Sequence, residues 1–294
     1  MKKIIKNPTL LITVSMAVFG TIAPFVRKTG LASAEVALYR AVLAASLIGI
    51  FLFVTKQKIS FKDFKKATLP LLLFSGAAMA FNWIFLFEAY KYTTVSVATL
   101  SYYFAPVIVT VACPILFKEK IGLKGWICFA GSTLGIVLIT GIGDLSGGKN
   151  DLKGILFGLC AAALYATVIL LNKFIKEVDG IHRTFLQFLS AVVVLSPYVL
   201  LTDGVNVGNM APVGIVCLLT VGFIHTGITY CMYFTSLKNL PGQKAAILSY
   251  IDPLVAVIIS ITVLKESITP MQAAGGILIL GFTLWNEISF TKKS

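Results

Sequence analysis

Charged residues are scarce in this sequence, and acidic residues are the scarcest of them. Charged side chains make up 13% of the 294 residues, with 12 Asp or Glu against 25 Lys or Arg. Soluble domains usually carry about 25% charged residues. The chain also has no CxxC pair, P-loop, HExxH or GxSxG motif, and its five cysteines are far apart. We therefore expect no disulfide framework, no metal site and no cofactor.

Long apolar runs account for the composition instead. Hydrophobic residues make up 57% of the chain, and runs of about 20 of them are long enough to cross a bilayer. Ten such runs lie at residues 8–27, 34–55, 68–90, 95–117, 122–141, 152–173, 184–202, 211–235, 242–264 and 269–290. The sequence predicts an all-α polytopic membrane protein with ten transmembrane helices, numbered here as the first to the tenth span.

The positive charges indicate the orientation. With the N-terminus in the cytoplasm, the cytoplasmic loops hold 18 of the Lys and Arg residues and the outer loops hold six. This asymmetry follows the positive-inside rule, so both termini are predicted to be cytoplasmic, in a bacterial cell membrane. The net charge of +13 is then explained by topology and by contact with the lipid bilayer, and no nucleic-acid partner is expected.

The two halves of the sequence resemble each other at an offset of 147 residues. The offset pairs Trp83 with Tyr230, Ala98 with Ala245, Tyr103 with Tyr250, Ala105-Pro106 with Asp252-Pro253 and Lys118-Glu119 with Lys265-Glu266. Residues 1–146 and 147–294 would each contain five spans, joined by a polar linker from Gly141 to Asp151. Because five is odd, the halves enter the membrane from opposite sides, which predicts an inverted-topology repeat with a substrate site near the midplane.

Five segments carry a resemblance to a known family. They are Leu38-Tyr39-Arg40, Phe85-Leu-Phe-Glu-Ala-Tyr90, the run Ser96 to Pro106, Phe117-Lys-Glu-Lys-Ile121 and Leu264-Lys-Glu-Ser-Ile268. With these segments the whole chain resembles the drug/metabolite transporter superfamily, specifically its ten-helix family with two EamA-type domains. The resemblance implies a central cavity formed mainly by spans one to four and six to nine. Gln187 stands where the first half has Arg40, so the two entrances need not be chemically equivalent.

Ionisable side chains within the spans are candidates for function because they are costly in hydrocarbon. Arg40 would bind a carboxylate or phosphate with two parallel hydrogen bonds. Asp252 would couple transport to protons or bind a cation, or would be a carboxylate neutralised by hydrogen bonds or by Arg40. His225 would take up a proton or remain a neutral, hydrogen-bonded histidine. Glu88 is a further coupling candidate, or is simply hydrated near the interface.

Two prolines occupy matched positions in the two halves. Pro106 and Pro253 each remove a helical hydrogen bond and so free the carbonyls of Tyr102 and Ser249. A hinge, a binding lip and a packing kink are all compatible with this pattern.

Polar and aromatic residues near these prolines could line a small-molecule site. The candidates are Arg40, Asn82, Trp83, Tyr102, Tyr103, Tyr165, Tyr230 and Tyr250. Aromatic residues in membrane helices also face lipid or form interfacial belts, and that alternative stays open for each of them.

The function that these features favour is secondary transport of a small organic metabolite, such as an amino acid, by alternating access. Export against protons follows from the resemblance alone. The alternatives are a polytopic membrane enzyme acting on a lipid, and a channel. Both a monomer and a homodimer are compatible with the sequence, which identifies neither the substrate nor the coupling ion.

Overall fold

A computed structural model of the protein describes residues 7–57, 59, 68–117, 122–140, 149–175, 178, 180–202, 204–237, 240 and 248–289. Regular structure within these residues is helical throughout, as predicted. In chain order, the spans comprise Pro8–Gly20 with Ile22–Lys28, Ser33–Val54, Thr68–Tyr92, Val95–Tyr102 with Ala105–Phe117, Leu123–Thr140, Lys149–Phe174, Gly180–Leu201, Pro212–Leu219 with Thr220–Ile228 and Thr229–Leu237, Ile251–Thr262, and Pro270–Ser289. A short 3₁₀ turn, Val207–Asn209, lies between the seventh and eighth spans.

The composition of the helices fits a membrane. Seven of the described helical segments, from the first to the fourth span and from the sixth to the eighth, are long and apolar enough to cross a bilayer. Large apolar side chains also cover the outside of the bundle: Phe53 and Leu201 are each 86% exposed. Lipid, which is as apolar as these side chains, would remove the cost of exposing them to water.

The predicted boundaries lie within four residues of the helix ends that the structure describes, whereas the predicted start of the ninth span falls outside the described residues. The largest shift is at the seventh span, whose helix begins at Gly180 rather than at residue 184. The sixth span also begins early, at Lys149, so the last three residues of the predicted linker are helical. Asp151 in its first turn stabilises this start because a carboxylate interacts favourably with a helix N-terminus.

Spans of one half pack mainly on spans of the other half. The first span packs on the eighth and ninth, and the sixth packs on the third and fourth. The second span packs on the seventh, the fourth on the ninth and the fifth on the tenth. These contacts are symmetric between the two halves. When each span is replaced by its counterpart five spans away, the contact of the first span with the eighth becomes that of the sixth with the third, and the other contacts correspond in the same way.

Glycines allow the closest of these contacts. A Cβ atom added at Gly135 would lie 2.7 Å from the carbonyl oxygen of Gly275, and one added at Gly275 would lie 2.5 Å from that of Gly135. On the sixth span, Gly154 and Gly158 lie against Thr93 and Ser101 in the same way. The GxxxG pairs of the fifth and sixth spans thus pack within the monomer, as small residues do where membrane helices approach closely.

Candidate functional site

Interruptions in three spans meet in the interior of the bundle. The first span breaks at Thr21, the fourth at Tyr103 and Phe104, and the ninth begins after a turn at Tyr250. Pro106 and Pro253 both lie in the first turn of the helix that follows the break, where the missing N–H costs no hydrogen bond. The breaks of the fourth and ninth spans face each other, since the rings of Tyr103 and Tyr250 are 6.4 Å apart.

The first span reaches this region through Gly20. A Cβ atom at this position would lie 2.5 Å from the carbonyl oxygen of Asp252, too close for any side chain. Gly20 therefore brings the break of the first span against the backbone of Asp252. Nothing in the sequence pattern indicates this contact, because it depends on packing between distant spans.

Arg40 is the most deeply placed cation of the region. Its residue is 5% exposed, and its Nε donates a 2.7 Å hydrogen bond to Thr226 Oγ1. The guanidinium carbon lies 4.4 Å from the centre of the Trp83 ring, which is the geometry of a cation–π contact. Among the described residues, neither terminal nitrogen of Arg40 donates to a protein group. The fork that holds a carboxylate or phosphate is thus left available.

A π-helical segment, Thr220–Ile228, positions Thr226 for this hydrogen bond. Thr226 Oγ1 donates to the carbonyl of Val221, five residues earlier, and accepts from Arg40. Gly222 and Gly227, also five residues apart, lie against Leu43 and Leu47 of the second span. Residues at this spacing share a face when hydrogen bonds run from i to i+5. The sequence predicts neither the π-helical segment nor a role for Thr226, because a threonine in an apolar span carries no distinctive signal.

Asp252 is half-buried and is bonded to the opposite half of the chain. The Tyr103 hydroxyl donates to Asp252 Oδ2 at 2.9 Å and lies 3.4 Å from the carbonyl oxygen of Ser249. That carbonyl lies just before the turn at Tyr250, so a residue from the break of the fourth span is placed to bind it. Asp252 forms no ion pair with Arg40: the ion pairs between described residues are Arg27–Glu266 and Lys91–Glu88.

Further tyrosines pack around Tyr103, the residue that donates to Asp252. Tyr102 lies 5.3 Å from Tyr165 and 5.9 Å from Tyr103, measured between ring centres. Tyr165 is 40% exposed, so its side chain is accessible beside Tyr102.

Trp83 and Tyr230 are connected through Phe188, whose ring is 5.3 Å from each. The structure thus brings six predicted aromatic residues together around Arg40 and Asp252: Trp83, Tyr102, Tyr103, Tyr165, Tyr230 and Tyr250.

The remaining predicted residues differ in their surroundings. Asn82 is buried beside the Tyr102 hydroxyl, and its Nδ2 donates to the carbonyl of Ala161 at 2.6 Å, which holds the third span to the sixth. His225 Nδ1 donates to the carbonyl of Thr220, and Nε2 lies 3.0 Å from Thr21 Oγ1 at the break of the first span. Glu88 forms an ion pair with Lys91 on its own helix and is not brought to the tyrosines.

The two halves differ at the position of Arg40. Gln187 is 1% exposed, and its Nε2 donates to Ser75 Oγ at 2.5 Å and to Asn172 Oδ1 at 2.9 Å. Its amide protons are therefore used in holding the third, sixth and seventh spans together. Only the first-half member of this pair offers free donors, as the departure in the sequence suggested.

Comparison with known proteins identifies the family. Residues 7–141 and 152–286 match the EamA-like transporter family. The chain belongs to this family. The resemblance found in the sequence is confirmed, and the protein is a multi-pass membrane protein of a transporter family.

Relatives of this EamA-like transporter cover most of its length. The uncharacterized transporter YxxF of Bacillus subtilis (strain 168) is 31% identical over 253 residues, which are 84% of this chain and 78% of the relative. An uncharacterized transporter of Archaeoglobus fulgidus is 26% identical over 283 residues, which are 94% and 95% of the two chains. A solved crystal structure with 14% identity covers 98% of this chain and 99% of its own, at a TM-score of 0.65, and supports the fold.

Proposed function

We propose that the protein is a secondary active transporter of amino acids, which it exports from the bacterial cytoplasm by alternating access. The observation that carries the proposal is the pair of unused terminal nitrogens on buried Arg40, beside the face of Trp83. A buried guanidinium with free donors is costly unless a ligand satisfies it. A carboxylate matches the geometry of these two donors.

Asp252 supplies the complementary charge for the ammonium group of the same substrate. It belongs to the same interior space as Arg40 but forms no ion pair with it, and only one of its carboxylate oxygens accepts a hydrogen bond from a described residue. A substrate with one carboxylate and one ammonium group would satisfy both residues. The tyrosines between them would contact its side chain, as aromatic residues do in most small-molecule sites.

Asp252 also couples the transport step to protons in this proposal. When Asp252 is ionised, Tyr103 donates to it. When Asp252 binds a proton, it donates to the Tyr103 oxygen, and the Tyr103 proton turns to the carbonyl of Ser249. One proton thus changes the hydrogen bonding at the break of the ninth span, which is how proton uptake would favour one conformation over another.

The two five-span halves, residues 1–146 and 147–294, would rock against each other around this site. Their contacts are related by adding five to the span number, which is what an inverted repeat requires. The polar linker between the halves would lie outside the membrane, and both termini in the cytoplasm.

Binding to purified protein tests the substrate class. An amino acid should raise the unfolding temperature, whereas its decarboxylated amine and its deaminated acid should not at equal concentration, because a ligand stabilises the folded state by RT ln(1 + [L]/Kd). Arg40→Lys should weaken binding about 10- to 100-fold, since a bidentate charged contact becomes a single one. Lys91→Gln, which removes a cation outside the site, serves as the control.

Flux into proteoliposomes tests whether the protein transports amino acids. Uptake of a labelled amino acid that is abolished by Arg40→Ala in a folded protein supports the proposal. If no amino acid is carried, or if Arg40→Ala transports normally, the proposed substrate class is wrong.

A further inference from the structure

One polar cluster at an end of the bundle takes no part in the site described above. It is built around Arg27, in the last turn of the first span, and Glu266, which follows the ninth span. These two residues form an ion pair across the two halves of the chain, with side chains 29% and 14% exposed. We refer to Arg27, Glu266 and their hydrogen-bond partners as the Arg27–Glu266 cluster.

Arg27 binds the end of the third span as well. Its Nε and Nη2 donate to the carbonyl of Tyr90 at 2.9 and 2.6 Å, and Nη2 also donates to that of Thr93 at 3.0 Å. These carbonyls lie at a helix C-terminus, where they lack helical donors and where a cation is favourable. The remaining nitrogen, Nη1, donates to Glu266. All three guanidinium nitrogens are therefore used.

Glu266 uses both carboxylate oxygens. Oε1 accepts from Arg27, and Oε2 accepts from the backbone N–H of Val95 at 2.9 Å and from Ser260 Oγ at 2.5 Å. Val95 is the first residue of the fourth span, and Ser260 lies in the last turn of the ninth. The cluster thus joins the first, third, fourth and ninth spans at a single point.

The backbone conformation of Lys265 directs the Glu266 side chain toward the Arg27–Glu266 cluster. Lys265 has a φ of +57°, the left-handed conformation that glycine adopts easily and other residues rarely do. The reversal ends the ninth helix and brings the Glu266 N–H to 3.0 Å from the carbonyl of Ser260. A non-glycine residue stays in this conformation only when its surroundings hold it there, and the bonds of Glu266 do so.

We propose that the Arg27–Glu266 cluster is the gate that closes the transport pathway at this end of the bundle. It is the described ion pair that joins the two halves, and the spans that it ties include the fourth and ninth, whose breaks form the candidate site. The halves must separate here for that site to open on this side. Opening requires Glu266 to release Arg27 and the fourth span, and closing restores these bonds.

Thiol accessibility tests the gate without any substrate, so the result does not depend on the proposed amino acid specificity. In a cysteine-free background, Tyr165→Cys places a thiol in the candidate site. A membrane-impermeant maleimide is then applied from each side of the membrane. Gly208→Cys identifies the relevant side: its loop is held at the same end as Arg27, because the neighbouring Asn206 donates its backbone N–H to Glu35, near the start of the second span.

Glu266→Gln should raise the labelling rate of Tyr165→Cys from that side about 10-fold, since a charged hydrogen-bond network is lost. Ser260→Ala, which removes one donor to Glu266, should give a smaller increase. The matched control is Glu88→Gln, which breaks an ion pair that lies within one helix and joins no two spans.

Unchanged labelling in folded Glu266→Gln and Ser260→Ala variants would overturn the proposal. An equal increase in Glu88→Gln would do so as well, because it would show that charge loss alone loosens this end. Thermal unfolding of each variant establishes that it is folded.

Discussion

At the scale of single residues, the interior charges differ in how fully the protein satisfies them. Arg27 bonds through all three guanidinium nitrogens and Glu266 through both carboxylate oxygens, whereas Arg40 keeps two nitrogens and Asp252 keeps one oxygen without a described protein partner. An ion pair with this many protein partners is suited to hold the protein in one conformation. Groups with free donors or acceptors are suited to bind a substrate or a proton that is later released.

Asp252 and Tyr103 yield a prediction about pH. Asp252→Asn should abolish amino acid flux driven by a pH gradient, because the residue can no longer gain or lose a proton. Exchange of amino acid across the membrane should persist with a higher KM, because the substrate ammonium group loses its counter-charge. Tyr103→Phe should keep the dependence on the gradient but shift the pH profile to higher pH, since the ionised carboxylate loses its donor. Both are measured as labelled flux in proteoliposomes over a series of internal and external pH values.

Tyr198→Phe, which removes a hydroxyl from an exposed tyrosine of the seventh span, is the control for both variants.

The titratable and charged groups among the described residues that interact with Asp252 are Arg40, Tyr90, Tyr102, Tyr103, Tyr165 and Tyr230. Gradient-driven flux that survives Asp252→Asn would assign the coupling to another group.

At the scale of helices, the spans differ in how they contact their neighbours. The fifth and tenth spans pack through backbone contact at Gly135 and Gly275, away from the tyrosines of the site. The first, fourth and ninth spans instead meet through broken helices and side-chain hydrogen bonds. The first arrangement favours a rigid pair, and the second allows rearrangement at the breaks.

The contact between the fifth and tenth spans predicts a difference between two glycines of one helix. Gly275→Val should lower the free energy of unfolding by about 1 to 3 kcal/mol, because the new side chain meets backbone that cannot move aside. Gly281→Val should leave it nearly unchanged, since nothing lies within 4 Å of an added Cβ atom there. Thermal unfolding in detergent measures both. Equal losses would indicate that helix propensity, rather than packing, determines the cost.

At the scale of the whole molecule, the distribution of charge predicts how the chain lies in the membrane. In a cysteine-free background, Gln57→Cys, after the second span, should be labelled from the cytoplasm, and Gly208→Cys, after the seventh, from outside. Impermeant reagents applied to intact cells and to inverted vesicles distinguish the two sides. Labelling of both positions from one side would contradict ten spans, and reversed sides would contradict the orientation.

The span positions and the family could be predicted because apolar runs and a repeat at a fixed offset are visible in the sequence without knowledge of which spans touch. The prolines likewise indicated where the fourth and ninth spans break. The partner of each polar residue could not be predicted in this way. Thr226 beside Arg40, Glu266 beside Arg27 and Gly20 against Asp252 all depend on contacts between spans distant in sequence.

The π segment of the eighth span has a consequence for motion within that helix. In a π-helical segment the backbone hydrogen bonds join residues five apart, so the segment holds one residue more than the same length of α-helix. Converting it to α-helix would turn everything that follows by one residue, about 100° around the axis at 3.6 residues per turn. Tyr230 lies just beyond the segment, so such a change of register would swing its ring away from Phe188 without bending the helix. A change between π-helix and α-helix in the eighth span would therefore rotate the part of the helix that carries Tyr230 about its own axis.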